Sequence, residues 1–554
     1  MMDFIGQSYG FFRSDPLSSF IGMFVVFFSV LTVIYSIGFM RGKKGLVRYY
    51  IYILLTIAAS LGVVFANHLI VLMIFWGVLG LLLYLLIGFG ENERVSYTAK
   101  KTFIIIGGTD AFMLLGAAFI WYLSGTFDMD KLSIALDNKI AVYAYLCLAV
   151  GAFAKAGAMP FHSWVPDTAE DAPTPVTAFL PASLDKLLGI YFLARISLDV
   201  FQMNGAMNVF LMVVGSVTIV AAVMMALIQH DFKRLLGYHA VSQVGYMVLG
   251  IGTGNPIGIA GGLFHMLNHA IYKSCLFFSG GAVEKKAGTT DLEKLGGLVK
   301  VMPVTFMTFF VASLSISGVP PFNGFASKWM VYQGVIESGK SGGHLWIVWL
   351  IAAMLGSALT LASFMKLIHA IFLGQPSRER KITDERIQET GLTMLAPSIV
   401  LAALCIAFGI FAYSGPLKAF IFPAVQGVVF SGVWQAGLAT VLILIGIVLG
   451  LVIYLLGSAA KTREAEVFMG GEILKDIPDM RISGAEFYNT VQDIGVLKFM
   501  YRLAQEKAFD IYEVGTKVTF GFNKVLRSLH NGVLSTYLSW CLLGMIVLFW
   551  ILLG

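Results

Sequence analysis

Lys155 stands in a stretch, residues 141–159, that is otherwise almost wholly apolar, and Pro160 and Pro166 follow almost at once. Lys328 has a parallel setting: Gly318, Pro320, Pro321 and Gly324 break the apolar run 317–332, and the lysine lies just beyond them. An ionisable side chain at membrane depth is costly and normally faces a wet or protein-lined interior, so it marks a functional site. Interrupted hydrophobic segments in two halves of a chain point to the ion or substrate site of a transporter. The two features together predict ion movement across a membrane.

Further polar groups stand in apolar surroundings. Asp110 lies within 102–123, Asp185 and Lys186 within 176–196, and His239 within 235–249. His265, His269 and Lys273 fall at i, i+4 and i+8 within 262–279, which puts them on one helical face. Burial disfavours a charged lysine and a nearby carboxylate restores it, so a balanced pair can exchange a proton near neutrality. Histidine is the natural relay between such lysines. A row of Lys and His side chains bridged by water therefore reads as a proton path through Lys155, Asp110, Asp185, Lys186, His239, His265, His269, Lys273 and Lys328.

Plainer readings exist for some of these residues. Two histidines at i, i+4 suit zinc, but no third His, Cys or carboxylate is near in sequence and a protonated lysine is a poor ligand. No metal site and no cofactor are expected. His239 alone could be a satisfied core residue. Asp185 and Lys186 are adjacent and point to different faces, so each needs its own partner. The segment 161–175, with His162, Asp167, Glu170 and Asp171, reads as a capped, solvated loop rather than a protease-like centre.

The elements that must position these groups are transmembrane helices. The chain has 554 residues, 58% hydrophobic and 13% charged, where a soluble domain carries roughly a quarter charged. About fourteen apolar runs reach the length that crosses a bilayer, too long for barrel strands. The fold class is all-α and polytopic. The net charge of +6 is spread through loops, as for cytoplasmic loops and snorkelling side chains, and requires no nucleic acid. Cys147, Cys275, Cys405 and Cys541 lie singly in apolar runs, so neither a cluster cradle nor a disulfide framework is expected. The start, 1–16, lacks the basic region of a cleavable signal peptide. Arg41, Lys43, Lys44 and Arg48, then Arg94, Lys100 and Lys101, place loops 41–48 and 91–101 in the cytoplasm and the N-terminus outside. The predicted organisation is a bundle over 1–460, a polar linker over 461–485, an amphipathic helix over 486–530 and an anchoring span over 531–554. Unbroken, that amphipathic helix would reach on the order of 65 Å, lying on lipid or along a neighbouring subunit.

Several motifs resemble one family. They are Ala154-Lys155-Ala156, Pro160-Phe161-His162-Ser163-Trp164-Val165-Pro166-Asp167, Ala172-Pro173-Thr174-Pro175-Val176, and Asp231-Phe232-Lys233-Arg234 with Ser242-Gln243-Val244-Gly245-Tyr246-Met247. His265-Met266-Leu267-Asn268-His269-Ala270-Ile271-Tyr272-Lys273 and Phe322-Asn323-Gly324-Phe325-Ala326-Ser327-Lys328 complete the set. Jointly they resemble the antiporter-like membrane subunits of respiratory complex I, of multisubunit cation/proton antiporters and of energy-converting membrane-bound hydrogenases. The likeness is close over roughly 16–335 and looser beyond. It implies two inverted five-helix repeats, each with a broken helix, and a hydrated polar axis at mid-membrane. By position, Lys155 is then the first-repeat lysine, His265, His269 and Lys273 the central relay, and Lys328 the second-repeat lysine. The tail resembles the lateral helix and anchor of the most distal complex I member of the family.

Three departures qualify the resemblance. Phe75-Trp76 is followed by Gly77, where the family usually has a glutamate; Asp110 is the expected substitute counter-charge of Lys155. Pro181 stands where a histidine is common, with Asp185-Lys186 as a local novelty. The chain also begins near the family's third span. These changes favour a hydrogenase-type or ferredoxin-linked complex over an orthodox complex I. The expected function is proton, or sodium/proton, translocation by a membrane-arm subunit of a redox-driven pump in a prokaryotic inner membrane. Such a subunit would carry no redox chemistry of its own. Its expected partners are other antiporter-like and small membrane subunits, a soluble iron–sulfur module and the lipid bilayer. The rival functions are the large subunit of a cation/proton antiporter, a membrane partner in inorganic-carbon uptake, and a scaffold whose channel has decayed.

Overall fold

Asp15 sets the start of the first long helix, Pro16–Phe39. Its carboxylate accepts from the Ser18 amide at 2.8 Å, the Ser18 hydroxyl caps the Asp15 amide at 2.8 Å, and Pro16 occupies the first helical position. The same device recurs along the bundle. Asn138, Asn204, Asp231 and Asn255 each accept from a backbone amide three residues on, at 2.8–2.9 Å. These caps satisfy donors that would otherwise be orphaned at helix ends.

The computed structural model describes residues 8–341, 343–375, 387–430, 436–456 and 487–553. Two strand pairs of two residues each, Ser8–Tyr9 with Phe12–Arg13 and Ile134–Ala135 with Phe201–Gln202, are the extended elements among them; the rest of the regular structure is helical. Ten described helices are long and apolar enough to cross a membrane. Four further segments bring the set to about fourteen: Phe232–Gly252, Pro256–Ala287, the broken pair Pro303–Ser317 and Asn323–Ser338, and Ala436–Leu456. Phe232–Gly252 carries His239, and Pro256–Ala287 carries His265, His269 and Lys273, while Lys328 sits on the second half of the broken pair.

Two helices are interrupted in the same way. Lys139–Ala156 ends at Gly157 (φ 79°, ψ 34°) before the short helix Trp164–Asp171; Pro303–Ser317 ends at Gly318 (φ 80°, ψ 34°) before Asn323–Ser338. A left-handed residue without a Cβ closes a helix at little cost, which is why glycine stands at both breaks.

The helix Thr174–Val200 is buried within the bundle along most of its length, with Leu198 and Asp199 exposed near its end, and contains a π-turn over Leu180–Leu184. Pro181 supplies no backbone N–H there, so the regular ladder cannot continue. Ser183 donates to the Ala178 and Phe179 carbonyls at 2.9 and 2.6 Å, covering groups the turn releases. Helix Pro256–Ala287 is buried along most of its length and packs against Phe232–Gly252, both halves of the second broken helix, and Leu392–Ile410.

Residues Gly495–Gly554 form a second compact unit. It contains the amphipathic helices Gly495–Gln505 and Ile511–Leu529 and the apolar helix Leu534–Leu553. The single long helix expected over 486–530 is divided: Lys507 adopts φ 57° and Asp510 caps the following helix at the Tyr512 amide. The expected linker, 461–485, lies outside the described residues.

Candidate ion-translocation site

Lys155, in the last turn of Lys139–Ala156, places its ammonium 3.4 Å from Asp185 Oδ1, with both side chains 0% exposed. Asp185 follows directly on the π-turn, so the residue inserted there sets which face it presents. Lys186, one position on, lies over the Trp164 ring at 5.3 Å. The adjacent Asp185 and Lys186 thus take separate partners. A Cβ at Gly157 would come 3.0 Å from Lys186 Nζ, so the first break and this lysine touch.

Asp110 is not the carboxylate in ion-pair contact with Lys155; Asp185 is. Asp110 comes from Val95–Ser124 and faces the Trp76–Gly77 corner, where a Cβ at Gly77 would meet its Oδ2 at 3.9 Å. Trp76 in turn lies 5.6 Å from Lys155 Nζ. Asp110 is therefore a second acid beside the same lysine, close to where a longer side chain at 77 would project.

The middle of the row sits on Pro256–Ala287. His265 is held by Ser327 at 2.9 Å and Gln243 at 3.1 Å, with the Tyr272 hydroxyl at 3.3 Å. Both ring nitrogens of His269 and the Lys273 ammonium are buried without a protein hydrogen-bond partner among the described residues. His239 bonds Ser363 at 2.7 Å. Lys328 reaches back across the second break to donate to the Ile316 carbonyl at 2.8 Å. Neighbouring charges interact in sequence: Asp110 with Lys155, Lys155 with Asp185, Asp185 with Lys186, Lys186 with Lys273 and His269, Lys273 with His239, and both His239 and His265 with Lys328. Eight of the nine expected residues are buried within the bundle, and Asp110 is partly buried. No group of ligating residues that could hold a metal occurs among the described residues.

The expectation of a solvated loop at 161–175 is overturned. His162, Asp167 and Asp171 are buried. Asp167 pairs with Lys101 at 2.7 Å and Arg234 at 3.1 Å, and Glu170 with Arg234 at 2.6 Å. Burial pushes the Asp167 carboxyl up, but the Lys101 and Arg234 cations outweigh this and hold it below the usual carboxylate range. Asp171 accepts from Asn92 at 2.6 Å and from Thr98. Sequence reasoning also misses Lys366. It is fully buried in Trp346–Ile368 and donates to the Leu227 and Gln229 carbonyls at 2.9 Å each. An ionisable residue in an apolar run is the signal that could have found it.

The family described as NADH:quinone oxidoreductase/Mrp antiporter, transmembrane, matches residues 66–360, just over half the chain. The chain belongs to this family. Among curated relatives, the A1-type component of a Na(+)/H(+) antiporter from Staphylococcus haemolyticus is 33% identical over 439 residues, covering 74% of this chain and 53% of that protein. The corresponding Na(+)/H(+) antiporter component from Alkalihalophilus pseudofirmus is 31% identical over 421 residues, covering 72% and 52%. The chain spans about half the length of these relatives. Two solved structures share the fold: the Mrp complex from Dietzia sp. DQ12-45-1b (TM-score 0.68, 24% identity, 75% of this chain and 83% of that one) and an archaeal respiratory complex, the membrane-bound sulfane sulfur reductase (TM-score 0.79, 22% identity, 97% and 89%). These relations establish the chain as a polytopic, antiporter-like membrane protein.

Proposed function

We propose that this NADH:quinone oxidoreductase/Mrp-family chain translocates protons, or exchanges sodium for protons, as one subunit of a multisubunit complex in a prokaryotic cytoplasmic membrane. The observation that supports this reading is the set of buried ionisable side chains within the bundle: the Lys155–Asp185 pair, Lys186, His269, Lys273 and Lys328. Isolated charges in a low-dielectric interior are strongly disfavoured. A row of them with unsatisfied hydrogen-bonding atoms is best supported as a site where protons come and go. The driving event would be charge rearrangement in a neighbouring protein of the complex.

Two drives fit. The named relatives favour cation/proton antiport. The likeness to a respiratory complex over 97% of the chain favours a redox-driven pump with a soluble iron–sulfur module as partner. The amphipathic C-terminal helices would lie along neighbouring subunits or lipid. Purification of the native complex separates the drives: an iron–sulfur module in stoichiometric amount supports the redox pump, and its absence with sodium-dependent proton flux supports the antiporter. The translocation reading is tested in vesicles by Lys273→Ala, which removes a side chain whose ammonium has no hydrogen bond among the described residues. Flux should fall by at least about tenfold, and unchanged flux would refute the reading.

A further inference from the structure

Four intramembrane lysines define the track, and each lies over an aromatic ring. Lys155 is 5.6 Å from the Trp76 centroid, Lys186 5.3 Å from Trp164, Lys273 5.8 Å from Phe364 and 6.0 Å from Phe277, and Lys328 4.7 Å from Tyr246. Only Lys155 among them has a carboxylate within ion-pair distance, among the described residues. Two of the rings are themselves fixed by hydrogen bonds. Trp164 Nε1 donates to the Ala154 carbonyl at 2.9 Å. The Tyr246 hydroxyl donates to the Ala353 carbonyl at 2.6 Å and meets Ser357 at 2.8 Å, where the Tyr332 hydroxyl also arrives at 2.6 Å.

We propose that Trp164 and Tyr246 are positioning residues whose ring faces hold the protonated forms of Lys186 and Lys328 in place of carboxylates. The inference rests on the translocation reading above. A ring face attracts an ammonium through its quadrupole, and the attraction is stronger where water is excluded. Unlike a carboxylate, it cannot accept the proton. A lysine over a ring is therefore steadied while charged, yet its proton can leave only along the track, not to its support. A fixed carboxylate at every lysine would instead trap protons at each step. On this account the chain keeps one acid–base pair, at Lys155, and supports the later lysines by rings.

Other groups around these two lysines are defined. Lys186 faces the charges of Asp185, Lys273 and His269, with Gly157 against its ammonium. Lys328 faces His265, His239 and Tyr246, donates to the Ile316 carbonyl, and has Gly318 beside its stem. Removing one ring leaves all of the other groups in place.

The test measures proton flux against pH in vesicles carrying the whole complex. Tyr246→Leu removes the face; Tyr246→Phe keeps the face and removes the hydroxyl bonds. Loss of the face disfavours the ammonium, so the alkaline limb of the flux profile should move to lower pH by about one unit, a tenfold change in proton affinity. Tyr246→Phe should keep the limb at the wild-type position. Trp164→Leu and Trp164→Phe form an independent pair with the same expectation. A purely structural role predicts lower flux in Tyr246→Leu with the limb unmoved, or the same displacement in Leu and Phe variants; either result overturns the proposal. If a Tyr246 variant fails to assemble, the Trp164 pair decides. Lys328→Ala serves separately: full flux in that variant would refute translocation itself, whereas lost flux there with unmoved limbs in both Leu variants would refute only the ring role.

Discussion

Lys155 and Asp185 meet at 3.4 Å although they come from different helices, and neither side chain touches solvent. A buried pair of this kind adds little net stability, but losing one partner strands the other charge at a cost of about 3–5 kcal/mol. Asp185→Asn should therefore lower the unfolding temperature of the purified complex and abolish flux. The double variant Lys155→Met/Asp185→Leu should recover much of the thermal stability while flux stays absent. Thermal melts and vesicle flux on the same preparations check both halves.

Asp110 provides a second test of how this chain manages without a glutamate at 77. Its Oδ2 lies 3.9 Å from where a Cβ on Gly77 would stand. Asp110→Asn should lower flux by about tenfold, and Gly77→Glu in that background should restore part of it. Gly77→Glu alone should be harmful, because a third carboxylate would then join Asp185 and Asp110 beside one lysine. Wild-type flux in Asp110→Asn would remove this residue from the track.

Gly157 should not tolerate alanine. Its φ is +79°, and the added methyl would come 2.6 Å from Val165 Cγ2 and 3.0 Å from Lys186 Nζ. The left-handed conformation alone costs a residue with a Cβ roughly 1–2 kcal/mol, and the contact with Lys186 adds to it. Gly107→Ala, which meets nothing within 4 Å, is the matched control and should be neutral in both stability and flux.

The Asp15–Arg195 contact predicts acid sensitivity at the other end of Thr174–Val200. Arg195 bonds Asp15 at 2.5 Å and Asp199 at 2.6 Å, and its Nε donates to Tyr191 at 3.0 Å. Burial raises the Asp15 carboxyl, but Arg195, the Ser18 amide and Arg13 outweigh it and hold the group below the ordinary carboxylate range. The folded state thus binds this proton less readily than the unfolded one. The stabilisation is complete above about pH 4, the unfolded value, and is lost as pH falls through the lower folded value. Asp15→Asn should cost roughly 2 kcal/mol at neutral pH and flatten the acid limb of stability, measured by thermal melts across pH.

Much of the track was legible because charge inside an apolar run is its own signal, as at Lys155, Lys328 and the His265–His269–Lys273 face. Pairing was not. Nothing in the sequence says that a π-turn at Pro181 rotates Asp185 toward Lys155, since spacing arguments assume a regular helix. The loop at 161–175 misled for a related reason: its acids look like solvated caps until tertiary packing brings Lys101 and Arg234 against Asp167. The break in the C-terminal amphipathic segment was hidden too, because helical spacing on either side of Lys507 continues without an intervening proline.

The central claim is that protons pass along the whole row, so interruption at either end must stop flux. Proton flux in vesicles carrying Lys155→Ala or Lys328→Ala, with assembly verified by purification of the complex, tests this most directly. Loss of flux in each variant separately is the predicted result. Wild-type flux in either would contradict it and leave that lysine as architecture alone.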